Sequence, residues 1–180
     1  MANRYDNAKQ NQIGKVGEKV VPELLQKNPR VVRIEDVSDL TAFQYEDVDL
    51  LVHMNNKENQ REIRKIEVKT EPMAARTGNF FVEKQIRYMK DVYDENGNLL
   101  YEKGQIRQGW LLASQADWFF WYVEGHKKVY ACIAKALKDY VKKYNPRVRS
   151  CNDGYKIIDG YLVSIEDLCK KCKVWKWDVE

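Results

Sequence analysis

At 180 residues the chain has room for one compact domain and little for two. Apolar residues make up 44% of it, which is enough for a real core and argues against wholesale disorder. Lys and Arg total 31 against 27 Asp and Glu, a net charge of +4 dispersed along the chain, which is compatible with a nucleic-acid partner and excludes a polybasic tail. No apolar run approaches the roughly 20 residues that span a bilayer. The opening MANRYDNAKQ carries no apolar signal region, so a cytoplasmic location and no membrane association are expected.

Residues 7–28 read as a helix, with Ile13, Val16, Val20, Leu24 and Leu25 at helical spacing and Asn28-Pro29 as its stop. Pro22 falls inside it and predicts a kink or a break. Strands follow over 31–37, 48–54 and 62–70, the last two joined by the polar loop NNKENQ. After a loop at 71–78, residues 79–83 form a fourth strand. The polar stretch 85–108, centred on Asn96-Gly97, predicts a projecting β-hairpin. Ser114 followed by Asp117 resembles a helix start. Strands at 119–123 and 128–133 precede a basic helix at 135–144, which Asn145-Pro146 ends. A hairpin at 155–163 and a short helix near 165–172 complete the pattern. The expected fold class is α/β, one domain over 1–180 with a hairpin insertion near 86–106 and a C-terminal extension over 147–180.

Four cysteines are present, at 132, 151, 169 and 172. Cys169 and Cys172 form a single CxxC, and with Cys151 and His126 they number four potential zinc ligands. The second closely spaced pair of a zinc site is missing. Cysteines at i and i+3 on a short helix, with Cys132 in a strand, account for the pattern without a metal.

The chemistry-bearing segment runs from Asp49 to Lys69. Alternation along Ile66-Glu67-Val68-Lys69 puts Glu67 and Lys69 on one face of a strand, and a hairpin pairing brings Asp49 beside them. Two acids in otherwise apolar strands are costly unless something neutralises them. A magnesium ion, which takes hard oxygen ligands and keeps part of its water shell, does so. The lysine can orient or help deprotonate a water and steady developing phosphate charge. Such a set suits phosphodiester hydrolysis. It suits glycoside or acyl transfer less well, because no nucleophile–base pair accompanies it and only two histidines exist.

Asp49 followed by Glu67-Val68-Lys69 resembles the D-(x)n-E-x-K signature of the PD-(D/E)XK nuclease superfamily. In that family a helix ahead of the first strand often carries a further acid. Gly14-Lys15-Val16-Gly17-Glu18 stands in that place, which maps Glu18 onto it. The resemblance covers roughly 13–133. It implies a restriction-endonuclease-like core with a mixed sheet and flanking helices in the order αβββαβ. It also implies a DNA endonuclease using magnesium or manganese, with Asp49, Glu67, Lys69 and Glu18 catalytic and Asp49, Glu67 and Val68 as metal ligands. The segments around Glu83 and Gln115 resemble ones that line such sites. Val48 replaces the proline of the family name, and Asp47, on the face of Asp49, is an alternative ligand.

Each residue also has a plainer reading. Glu67, Lys69 and Asp49 could form a solvated cross-strand ion pair, and Glu18 could pair with Lys15 or Lys19. His53 and His126 read as structural. Trp118–Tyr122 read as core, and packing is the favoured reading of Trp175 and Trp177. The competing functions are a non-catalytic DNA-binding module of the same fold and a small zinc-binding interaction protein. Cutting two strands in concert calls for two sites, so a homodimer is the expected working unit.

Overall fold

The computed structural model describes residues 7–94 and 96–179, with side chains from residue 14 onwards. The tip residue Glu95 of the expected hairpin and the side chain of Ile13 therefore lie outside the described residues. The first helix, α1 (Asn7–Gln26), runs unbroken through Pro22, which corrects the expected interruption. Pro22 has no N–H, so the Glu18 carbonyl loses its usual helical donor. Burial of one face holds the helix together: Val21 is fully buried, and Val16, Val20, Leu24 and Leu25 pack onto the sheet beneath.

That sheet has six strands: β1 (Val31–Asp36), β2 (Leu50–Asn55), β3 (Arg61–Thr70), β8 (Trp118–Val123), β9 (Lys128–Ile133) and β12 (Val174–Asp178), in this spatial order. Asn56 fixes the β2–β3 turn by accepting from the N–H groups of Glu58 and Gln60 through Oδ1. Strands β3 and β8 are parallel and all other neighbours antiparallel. The architecture is thus mixed α/β with helices flanking a mixed sheet.

A parallel pair needs a crossover, and here the crossover carries two strands of a second sheet. It contains the one-turn helices α3 (Ala74–Thr77) and α4 (Trp110–Ala113), preceded in the chain by a similar turn, α2 (Thr41–Gln44). Between α3 and α4 lie β4 (Asn79–Tyr88), β5 (Val92–Tyr93), β6 (Leu99–Tyr101) and β7 (Ile106–Gln108). Strand β4 runs five residues beyond the expected end at Glu83. It pairs with β7 on one side and β11 (Lys156–Ser164) on the other, and β10 (Val148–Asn152) closes the second sheet. The expected hairpin over 155–163 is instead the single strand β11, whose hairpin partner is β10. Its Gly160 lies mid-strand beneath the Phe81 ring.

The helix expected from Ser114 is absent: Ser114 is extended, and its side chain is engaged elsewhere. Its Oγ donates to the Asp47 carbonyl at 2.9 Å and accepts from the Ala116 N–H at 3.1 Å. Gln115 N donates to the Glu46 carbonyl, and Asp117 Oδ2 accepts from Lys65 N. Residues 114–117 therefore clamp the Asp47 loop to β3.

The main core lies between the sheets, where Phe80 stacks on Trp121 at 4.5 Å and Trp110 meets Phe119 edge-on. Helices α5 (Ala134–Tyr144) and α6 (Ile165–Lys171) close it with Leu137, Tyr140, Ile165 and Leu168. Trp175 and Trp177 pack on Trp118 and Phe120 of their own sheet, as expected. The β5–β6 hairpin projects, with Tyr93, Leu99 and Leu100 exposed. No helix among the described residues is long and apolar enough to cross a membrane.

Gly109 joins the second sheet to α4, and a Cβ there would stand 2.5 Å from the Glu83 carbonyl carbon and oxygen. Gly109→Ala must push β4 away and is expected to lower stability by roughly 1–3 kcal/mol, a Tm drop of about 2–10 °C. A melting curve within 1 °C or so of the unsubstituted protein would show that the approach is looser than drawn.

Candidate active site

Leu50 pairs with Ile66, so Asp49, one residue earlier, stands beside Glu67, one residue later. On β3, Ile66 and Val68 point under α1, whereas Glu67 and Lys69 flank Phe119 and Trp121 and face the second sheet. The site therefore lies on the face of the six-stranded sheet that is turned towards the second sheet.

The Glu67 side chain is only 2% exposed. Its Oε1 contacts Lys69 Nζ, and its buried Oε2 has no hydrogen-bond partner. Burial pushes its pKa up to about 8, outweighing the pull of Lys69, and the neighbouring Asp49 adds to the rise. Asp49 Oδ2 accepts from the Val68 N–H at 2.7 Å. Burial raises Asp49 as well, although Lys69 and this hydrogen bond oppose the rise. For Lys69, burial alone favours loss of the proton, but Glu67 and Asp49 carry its pKa well above the ordinary lysine value. It is a fixed cation, lying over the Trp110 ring at 5.8 Å.

Glu18 arrives from α1. A Cβ at Gly17 would stand 2.5 Å from Thr70 Oγ1, so only glycine lets the helix dock this closely on the end of β3. Thr70 Oγ1 accepts from the Gly17 N–H and donates to the Gly14 carbonyl, both at 3.0 Å. The spacing Gly14-x-x-Gly17-Glu18 thus serves to anchor the helix and carry Glu18 towards Asp49. Burial raises Glu18, and the charges of Asp49 and Asp36 add to the effect.

Asp47 is not on strand β2: it sits in a left-handed conformation (φ 48°) in the preceding loop. Burial raises it, while Lys69 and Arg107 pull it back. Glu83 on β4 also faces Lys69, and burial raises it too. Gln115 is exposed and contributes its main-chain N–H to the Glu46 carbonyl. Val68 offers only main-chain atoms, because its side chain is buried on the far face.

Glu71 was overlooked in the sequence, where it fell in a loop. It extends the alternation Glu67, Lys69, Glu71, and its N–H continues the β3–β8 ladder to the Tyr122 carbonyl. Burial pushes it to about 8, with its Oε1 accepting from the Phe81 N–H at 3.3 Å. Continued alternation would have revealed it. Nothing local marks Trp110 or Arg107 as neighbours of the site.

The four potential zinc ligands are not gathered: among the described residues, no three His, Cys, Asp or Glu side chains converge as a ready ligand set. Cys151 is exposed on β10, and all four cysteines are free thiols. His53 Nε2 lies 2.7 Å from Glu35 Oε1 at the sheet edge, and His126 is exposed in a turn. Asp49 and Glu67 form a two-carboxylate pair. That suits magnesium, which commonly binds one or two carboxylates and keeps several waters. Two buried carboxyls side by side, with Lys69 as the one cation in contact with them, fit such an ion, since a second charge there is costly unless neutralised.

Comparison with models of known protein families, with curated proteins and with solved structures finds no match.

Proposed function

We propose that the chain is a metal-dependent DNA endonuclease of the PD-(D/E)XK class, with a restriction-endonuclease-like core. The observation that carries this reading is the buried pair of carboxyls, Glu67 held between Asp49 and Lys69. The order α1, β1, β2, β3, crossover, β8 supports it. The crossover is the departure, two single turns and two strands of a second sheet in place of one helix.

Asp49 and Glu67 are the side chains to hold magnesium or manganese, with Val68 able to add a main-chain oxygen. A bound divalent cation supplies neutralisation of the pair and polarisation of a phosphodiester. Lys69, protonated at neutral pH, stabilises charge developing on the phosphate and does not serve as a base. Glu18, with its raised pKa and its place beside Asp49, is the group to orient or accept a proton from an attacking water. Glu83 keeps Lys69 in place from the second sheet. A homodimer would set two such sites on one duplex, and the exposed Leu99 and Leu100 of the hairpin are the surface to test for pairing.

The test is incubation of linear, nicked, flapped and four-way DNA with the protein and magnesium, manganese or chelator. Cleavage of at least one substrate with metal and none with chelator is expected. No cleavage of any substrate with either metal would overturn the reading.

A further inference from the structure

Arg107 lies on β7, opposite Ile86 of β4 and two residues before the tight Gly109–Glu83 contact. Its guanidinium is fixed in place. Nη1 donates to Tyr101 Oη at 2.5 Å, and the group lies over the Tyr101 ring at 4.9 Å. Tyr101, from the projecting hairpin, stacks on the buried Tyr88 at 4.2 Å with planes 11° apart. The arginine therefore ties the hairpin to β7, three residues before Trp110, whose ring lies against Lys69 of the site.

Most half-buried cations of this chain have an acidic partner. Arg64, Lys65 and Lys156, half-buried like Arg107, each have a carboxylate within 4.0 Å. Among the described residues Arg107 has no such ion pair; its partners are the neutral hydroxyls of Tyr101 and Tyr88, which leave part of its five donors open. A rigid guanidinium held by neutral hydroxyls and paired with no carboxylate is suited to a planar anion bound through two parallel hydrogen bonds.

We propose that Arg107 is a substrate-binding residue that holds a non-scissile phosphate of the DNA strand bound at the site, with Tyr101 and Tyr88 as its positioning residues. This rests on the nuclease reading for the identity of the strand. The β5–β6 hairpin then acts on the substrate through Arg107, by setting where the neighbouring phosphate must lie.

The experiment measures binding of a fluorescently labelled duplex and of its single strand to the full chain over a range of salt concentrations. Calcium replaces magnesium so that binding is read apart from cleavage. Arg107→Ala is expected to weaken binding roughly tenfold and to lower the slope of log affinity against log salt by about one. In cleavage assays it should raise KM with kcat little changed. Arg107→Lys should restore the slope but only part of the affinity. Tyr101→Phe keeps the charge and should keep the slope while losing affinity, which separates positioning from general damage. An Arg107→Ala protein that folds and matches the unsubstituted slope and affinity overturns the proposal. If that protein also cleaves normally, the nuclease reading stands without the contact. Arg107-dependent binding by a chain that never cleaves would support the contact and remove the nuclease reading. Absence of DNA binding by the unsubstituted chain overturns the contact.

Discussion

Replacing Glu67 with Gln, or Asp49 with Asn, is expected to lower metal-dependent DNA cleavage by a factor of about 10²–10⁴ while leaving the fold intact. The amides preserve volume and hydrogen-bonding capacity but remove the charge that would attract a divalent cation. Glu67→Gln also removes a buried ionisable group, so its melting temperature should equal or exceed that of the unsubstituted protein. Lys69→Met should lose activity comparably, yet it leaves Glu67 buried without its cation and is expected to be less stable. The double substitution Asp49→Asn/Glu67→Gln should be little worse than either alone, because residues acting on one cation are not additive. Glu18→Gln should cost less, since Glu18 reaches the pair through charge and not through contact. Rates at saturating DNA, with circular dichroism on each variant, check the series. Full activity in Glu67→Gln would remove the assignment.

In chelator, the protein is expected to lose stability as pH rises from about 6 to about 8.5. The sign follows from proton counts. Burial holds Glu67 and Glu71 near 8 in the folded chain, against an ordinary value of 4.5. Between those values the folded state binds more protons than the unfolded state, so stability falls with rising pH. Asp49, Asp47, Glu83 and Glu18 are shifted in the same direction. The depressed carboxyls, such as Asp159 and Asp167, contribute stability that is lost only in acid, and they do not offset this slope. A loss of about 2–3 kcal/mol from each of the two glutamates, and so of roughly 10 °C or more of Tm in all, is expected across that interval. Millimolar magnesium or manganese should recover the share due to Glu67, because a cation bound to the ionised pair takes the place of its proton. Glu67→Gln should remove the metal response and about half of the slope, Glu71 supplying the rest. A Tm that rises with pH in chelator would contradict the burial of these carboxyls in solution.

How far the sequence revealed this site depends on the distance over which each feature is encoded. The Glu67–Lys69 face follows from strand alternation, and the position of Asp49 follows from one short hairpin. Both are local and both were readable. Glu18 was readable as a position, but the reason for the glycines before it was not. That reason is Thr70, more than fifty residues away along the chain. The crossover misled because Ser114 and Asp117 carry the side chains of a helix start, whereas their hydrogen bonds go to the Asp47 loop and to Lys65. The second sheet was hidden for a related reason. Strand β4 continues through Glu83-Lys84-Gln85, polar residues that end an apolar pattern but here meet a bulged partner. Arg107 and Trp110 come to the site only through that sheet, so periodicity within their own segments says nothing about them.

The central claim is that the buried Asp49–Glu67 pair is a divalent-cation site. Titration of manganese into the metal-free protein, followed by the loss of the free-ion electron paramagnetic resonance signal, tests it without any substrate. The unsubstituted chain should take up manganese at the pair, and Asp49→Asn/Glu67→Gln, folded by circular dichroism, should leave the signal of free manganese unchanged. Equal uptake by both proteins, or no uptake by the unsubstituted chain at millimolar manganese, would contradict it.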